Sequence, residues 1–241
     1  RSRPQGKRPT AKVEPLDYAY ALKRHPTRKT ARHLKKRDYI IVDNFAGGGG
    51  ASTGIEAGAG QPVDVAINHD PTAMWMHAVN HPETLHFCED LGTLDPLAVT
   101  HGKRVRLAWF SPDCRHFSRA KGDVPVSKKI RGLANCIPRW AEKIRPEIIM
   151  MENVREFLDW GTLLRRRYQV KKGEDKGKWK WGWYPNPATK GVLFKRWLNR
   201  LKKIGYVIEY RVLNAADYGA PTNRRRLFII MRLDGNPIVW P

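Results

Sequence analysis

The residue best suited to covalent chemistry is Cys114, within Ser111-Pro112-Asp113-Cys114-Arg115-His116-Phe117-Ser118. The proline stiffens the loop, and neighbouring cationic residues would lower the thiol pKa, the setting in which a thiolate serves as nucleophile. Cys88 and Cys136 lack such polar company and read as structural thiols. The run Pro-Glu-Ile-Ile-Met-Met at 146–151 ends on Glu152-Asn153-Val154. A glutamate partly withdrawn from water at that point can hold a proton near neutral pH and act as an acid toward a ring nitrogen. The segment Asp43-Asn44-Phe45-Ala46-Gly47-Gly48-Gly49-Gly50 is rich in glycine. Missing side chains there let a ligand approach backbone amides, and such a turn serves a dinucleotide, S-adenosylmethionine or only tight packing.

These residues need a scaffold that brings them to one edge. Tyr39-Ile40-Ile41-Val42 reads as a strand entering the glycine turn, followed by a helical pattern through Glu56. A second strand, Val63 to Ile67, leads to Asn68-His69-Asp70 and a helix through Val79, which sets a β-α-β-α rhythm. The ribose of an adenosine cofactor usually takes an acidic partner at the end of the second strand, where this chain has Asn68-His69-Asp70. Asp90 follows a third strand at about Leu85 to Cys88; it either accepts a hydrogen bond from an adenine amino group or is an ordinary surface aspartate. Val105 to Phe110 runs into the Cys114 loop, and the strand before Glu152 ends beside it. In open parallel sheets ligands bind beyond the carboxyl ends of the strands, so both loops and the glycine turn should converge on one cleft. A helix at about 191–203 and a hairpin-like pair, Tyr206 to Leu213 with Leu227 to Arg232, close the sheet. Residues 161–190, with Arg165-Arg166-Arg167 and Trp179, Trp181 and Trp183, read as an insertion and not a sheet element. The fold class is α/β: Rossmann-like, a mostly parallel sheet flanked by helices.

The 241 residues suffice for one main domain. Residues 1–37, rich in Lys, Arg and Pro, read as a basic flexible arm, and 38–241 as the folded domain. The net charge of +22 predicts attraction to a polyanion, nucleic acid first. No membrane-spanning stretch and no signal peptide are readable. Three cysteines without metal-ligand pairing argue against a disulfide framework or a metal site and fit a reducing, cytoplasmic interior. A nucleic-acid-binding protein without catalysis remains open, gripping backbone and stacking on bases through its arm and insertion.

The order of these motifs resembles the cytosine-5 DNA methyltransferase family over about residues 39–234. DNFAGGGGASTGIEAG looks like its cofactor loop, SPDCRHFS like its nucleophile motif, MENV like its glutamate motif and DYGAPTNRRRLFIIMR like its arginine motif. The resemblance implies S-adenosylmethionine as cofactor and double-stranded DNA as partner. It implies that Cys114 adds to carbon 6 of a flipped cytosine, that Glu152 protonates ring nitrogen 3, and that carbon 5 takes the methyl group. Arg226 would bind the cytosine carbonyl and Arg224 a phosphate or a supporting carboxylate. Phe45, Ala46, Gly47, Gly49, Asn68, His69, Asp90 and Asp113 would lie on the cofactor side, and Arg131-Gly132 resembles a further motif. Asn68 replaces the usual ribose-binding glutamate, His69 stands where an aromatic residue often covers the adenine, and Thr222 replaces a usual glutamine. The family normally continues into a target-recognition domain and a final motif, so the resemblance implies reliance on another segment or a second polypeptide. It also implies a bacterial or phage restriction-modification setting; relatives that act on tRNA carry the same motifs.

Overall fold

The structure, a computed structural model, describes residues 37–114, 117, 125–128 and 132–241. Apart from Arg37, the basic arm lies outside the described residues, as do Arg115, His116 and Arg131. Seven strands form one sheet in the order β3-β2-β1-β4-β5-β9-β8. The strands are β1 (Tyr39–Asn44), β2 (Val65–Asn68), β3 (Leu85–Cys88), β4 (Arg104–Phe110), β5 (Ile148–Asn153), β8 (Val207–Asn214) and β9 (Arg225–Arg232). The first five pair in parallel, whereas β9 runs antiparallel to both β5 and β8. Strand order therefore reverses on either side of β1, the switch at which open α/β sheets leave a crevice.

Local sequence explains the helices that return the chain. Helix α1 (Gly50–Ala59) stops at Gly60, whose φ of 65° is the left-handed C-cap that glycine permits. Helix α2 (Pro71–Asn80) begins at Asp70, whose carboxylate accepts from the amides of Thr72 and Ala73, with proline in the first turn. Asp95 and Pro96 repeat the device at α3 (Pro96–Thr100). Helix α4 (Cys136–Ile144) buries Cys136, Ile137, Trp140 and Ala141, a stripe at helical spacing. Helix α5 (Val192–Ile204) buries Phe194, Trp197, Leu198 and Leu201, a stripe at helical spacing.

The largest core lies where α4 and α5 meet the sheet. Phe110 meets Trp140 edge to face, and Phe157 contacts Phe117, Trp160, Phe194 and Trp197. Each such aromatic pair adds about 0.5–1.5 kcal/mol beyond its buried area. This cluster fixes the ground under the Cys114 loop, because Phe117 belongs to that loop and Phe157 to the 3-10 turn (Arg155–Asp159) just beyond Glu152.

The insertion at 161–190 needs a correction. It stays out of the main sheet, yet it is a sheet of its own: β6 (Leu163–Gln169) pairs antiparallel with β7 (Trp179–Pro185). The alternation Trp-Lys-Trp-Gly-Trp-Tyr has the period of a strand, a signal that the lysine content obscured.

Candidate active site

Three segments that are distant in sequence meet beyond the carboxyl ends of β1, β4 and β5. The Ser111 amide donates to the carbonyl of Asn44 at 3.3 Å, joining the Cys114 loop to the start of the glycine turn. The buried Asn153 side chain donates from Nδ2 to the carbonyl of Pro112 at 3.1 Å, while its Oδ1 accepts from the Val154 amide. The nucleophile loop and the glutamate strand are thus tied directly, by a residue the sequence presented only as part of Glu-Asn-Val.

Glu152 is the penultimate residue of β5 and pairs in register with Phe228 of β9. Arg226 approaches its Oε1 through Nε at 2.9 Å, and Arg224 stands 4.0 Å away. Burial raises the Glu152 carboxyl above the ordinary range even though Arg226 and Arg224 pull it down. The carboxyl therefore keeps its proton to higher pH than an exposed glutamate. Glu152, Arg224 and Arg226 line a cavity of about 550 Å³ that they share with Trp109, Tyr218 and Trp240. Arg226, expected to meet a substrate carbonyl, here supports the carboxylate; Arg224 is the more exposed of the two.

Cys114 is half-buried, and its thiol departs from expectation. Burial pushes its pKa up; Arg226 opposes this, and the carboxylates of Glu152 and Asp113 add to it. Arg115 and His116, the cationic neighbours in sequence, lie outside the described residues; among the described ones, desolvation of the thiolate and the two acids outweigh Arg226. Cys136 is fully buried and raised to about 12, an inert structural thiol, and Cys88 is raised as well.

On the cofactor side, Phe45 and Asp90 line a cavity of about 420 Å³ together with Lys128, Asn135 and Arg139. Phe45 adopts a φ of 64°, strained for a residue with a side chain. Asp90 accepts from the Gly92 amide at 2.8 Å. The following loop is held by Arg139, which donates to the carbonyls of Leu91, Gly92 and Leu94. Sequence alone does not single out Arg139, because the carbonyls it holds lie far back in the chain. A side chain on Gly47 would meet nothing within 4 Å, so the turn is open at that point. At Gly49 the reason for glycine is different: φ is 108°, and a Cβ would lie 2.5 Å from the His81 ring. Ala46 is buried. Asn68 donates to the Ala46 carbonyl at 2.8 Å and accepts from the Asp70 amide, so both ends of its amide pin the turn. His69 is exposed, and its carbonyl faces the thiol of Cys88.

An aromatic ring and a carboxylate lining one cavity, with an open glycine turn beginning two residues after Phe45, suit an adenosine group. The buried Asn44 Oδ1, without a hydrogen-bond partner among the described residues, lies one position before Phe45. The molecule has the Rossmann-like fold of S-adenosylmethionine-dependent methyltransferases. A solved structure described as a DNA modification methyltransferase encoded within an E. coli prophage superposes with a TM-score of 0.57 at 23% identity, covering 81% of this chain and 47% of that one. The family model for C-5 cytosine-specific DNA methylase matches residues 39–165 and 187–239, most of the chain. The chain belongs to that family. Among its relatives, Type II methyltransferase M.SacI of Streptomyces achromogenes is 25% identical over 221 residues, 83% of this chain and 50% of M.SacI. M.AquIA of Picosynechococcus is 25% identical over 210 residues, 83% of this chain and 75% of M.AquIA. The chain thus spans about half the length of M.SacI and of the superposed structure. Among the described residues no helix is long and apolar enough to cross a membrane.

Proposed function

We propose that this chain transfers a methyl group to carbon 5 of cytosine in double-stranded DNA. The observation that carries the reading is the contact of Arg226 with Glu152 in a group that also acts electrostatically on Cys114. When bound, S-adenosylmethionine supplies an electrophilic methyl group on a sulfonium centre. Phe45 and Asp90 would hold its adenosine, with Gly47 leaving room for backbone approach; Ala46, Gly49, Asn68 and His69 shape the turn, and Asp113 borders the cysteine.

Cytosine carbon 6 is a poor electrophile until ring nitrogen 3 takes a proton. Glu152, whose carboxyl burial raises above the ordinary range, donates that proton as the Cys114 sulfur bonds to carbon 6. The electron pair freed from the 5,6 double bond resides on carbon 5, which would take the methyl carbon as that carbon's bond to the sulfonium sulfur breaks and sulfur keeps the pair. Transfer of the carbon 5 proton to water then returns the pair, expels the Cys114 sulfur as thiolate and restores the double bond, and nitrogen 3 gives its proton back to Glu152. Because the resting Cys114 thiol is raised, it must lose its proton when substrate arrives. Bringing the cationic Arg226 and a polarised ring to the thiol favours that loss. Arg226 serves both the carboxyl and the substrate carbonyl, and Arg224, more exposed, meets a phosphate.

A duplex target must be extruded first, at a cost of a few kcal/mol. Recognition of the target sequence belongs in this reading to a further segment or second polypeptide. The setting is cytoplasmic, with DNA. Labelled methyl transfer to duplex DNA and to tRNA, side by side, tests the reading. Incorporation into duplex cytosine with covalent trapping by a mechanism-based cytosine analogue is expected; incorporation into tRNA alone would reassign the substrate.

A further inference from the structure

We infer that the β6–β7 ribbon is a second DNA-binding surface, gripping the duplex beside the target cytosine; this rests on the reading of duplex DNA as substrate. The match to the family model covers residues 39–165 and 187–239, so most of the ribbon lies outside the matched residues.

The ribbon has two unlike faces. Cross-strand partners share a face, which puts Arg165 with Trp183, Arg167 with Trp181 and Gln169 with Trp179 on one side, and Leu164 with Tyr184, Arg166 with Gly182 and Tyr168 with Lys180 on the other. The second side is turned to the protein: Tyr184 is buried, and a side chain on Gly182 would strike Pro125 at 2.5 Å. The first side is open. Trp179 and Trp181 are 59% and 57% exposed, yet each is covered by a cation: the guanidinium of Arg167 lies 5.4 Å from the Trp179 ring and that of Arg165 lies 5.0 Å from Trp181. Lys128 continues the series over Trp183 at 3.4 Å. Flat rings interleaved with fixed cations meet the two requirements of a nucleic acid, base faces and phosphates. Two acids stand at the tip, Glu174 and Asp175; Asp175 is paired with Lys178 and Lys180, and Lys171, Lys172 and Lys176 outnumber Glu174.

Its placement ties this surface to the catalytic loops. The Val126 amide donates to the Trp183 carbonyl at 2.8 Å, so the ribbon is stitched to residues 125–128, which follow the Cys114 loop. At its root the Asn186 amide donates to the Thr162 carbonyl, and the hydroxyls of Thr162 and Thr189 share a bond of 2.7 Å, shortly after the turn beyond Glu152. A two-stranded ribbon also has the width that the major groove of about 12 Å admits.

The test is duplex affinity of the full chain across a salt series, with two double variants at exposed positions. Arg165→Gln with Arg167→Gln should flatten the slope of log affinity against log salt by up to about 2, near 0.9 per lost phosphate contact. Trp179→Ala with Trp181→Ala should weaken binding by about tenfold or more with an unchanged slope, as loss of stacking does. Covalent trapping of Cys114 at saturating DNA should match wild type in both. Affinity and slope equal to wild type in both variants, with folding verified by circular dichroism, would overturn the inference and leave the catalytic reading intact. Ribbon-dependent duplex binding without methyl transfer would do the reverse. Equal ribbon-dependent binding of tRNA or polyglutamate would overturn duplex DNA as the occupant.

Discussion

Two polar clusters stand at the carboxyl ends of neighbouring strands, and they have opposite characters. Beneath the glycine turn, buried Asp43 accepts from the Ser52 hydroxyl at 2.8 Å; Ser52 lies 3.0 Å from His77 Nε2, and His77 Nδ1 lies 2.9 Å from His86. These groups chiefly face one another. At the other end of the crevice, Cys114, Glu152 and Arg226 also interact, but Glu152 and Arg226 open onto a cavity, and both acidic groups are displaced from their ordinary titration ranges. Polarity alone does not mark a reactive site; polarity kept partly desolvated and directed at empty space does. The first cluster is expected to govern stability and the second turnover.

The contrast breaks most sharply at Cys114. Cys114→Ser should lower methyl transfer at least about a hundredfold, because a hydroxyl is far less ionised than a thiol, while leaving the melting temperature near wild type. In the wild type, alkylation of Cys114 should rise with pH beyond the range of a free cysteine, since its raised pKa keeps it protonated at neutrality, and Cys136, at about 12, should stay unlabelled. Peptide mapping after iodoacetamide would show both, and rapid Cys114 labelling at pH 7 would contradict the raised thiol. Next comes Glu152→Gln, for which loss of the proton donor should reduce kcat by about 10²–10⁴. The raised wild-type carboxyl should make the acid-dependent step fade as pH rises through its pKa, and the variant should lack that limb.

In the closed cluster the effects should be smaller and of another kind. Ser52→Ala removes a donor from buried Asp43 and should cost about 1–3 kcal/mol in urea denaturation, with the trapping reaction of Cys114 preserved. A trapping defect larger than the loss of folded protein would erase the division between the clusters. The smallest effect expected is from His86, lowered from 6.5 to about 4 by burial and by His77 and His81. The folded chain resists a proton that the unfolded chain accepts, so stability should fall as pH drops from about 6.5 toward 4. His86→Gln should flatten that part of the melting curve against pH.

Legibility in the sequence followed the range of the interactions. The alternation of strand and helix and the convergence of the Cys114, Glu152 and glycine segments could be read because each rests on local pattern plus one topological rule. Arg139 could not, since its role is to hold carbonyls of residues 91–94 that lie far back in the chain. The reason for Gly49 was hidden likewise: only the arrival of His81 shows that packing requires a glycine there. At Cys114 the cationic residues adjacent in sequence were legible, whereas burial and the carboxylate of Glu152 brought near by folding were not.

The bond from Asn153 to the Pro112 carbonyl has a kinetic meaning beyond its geometry. Were the two loops independent, each catalytic cycle would have to recover the mutual orientation of sulfur and carboxyl from a spread of arrangements, and that search would appear in the barrier as lost entropy. Here the restriction is imposed once, during folding, and every later turnover starts from it. The strand that ends in Glu152 thereby acts as a ruler for the loop that carries Cys114, setting reach before any substrate is present.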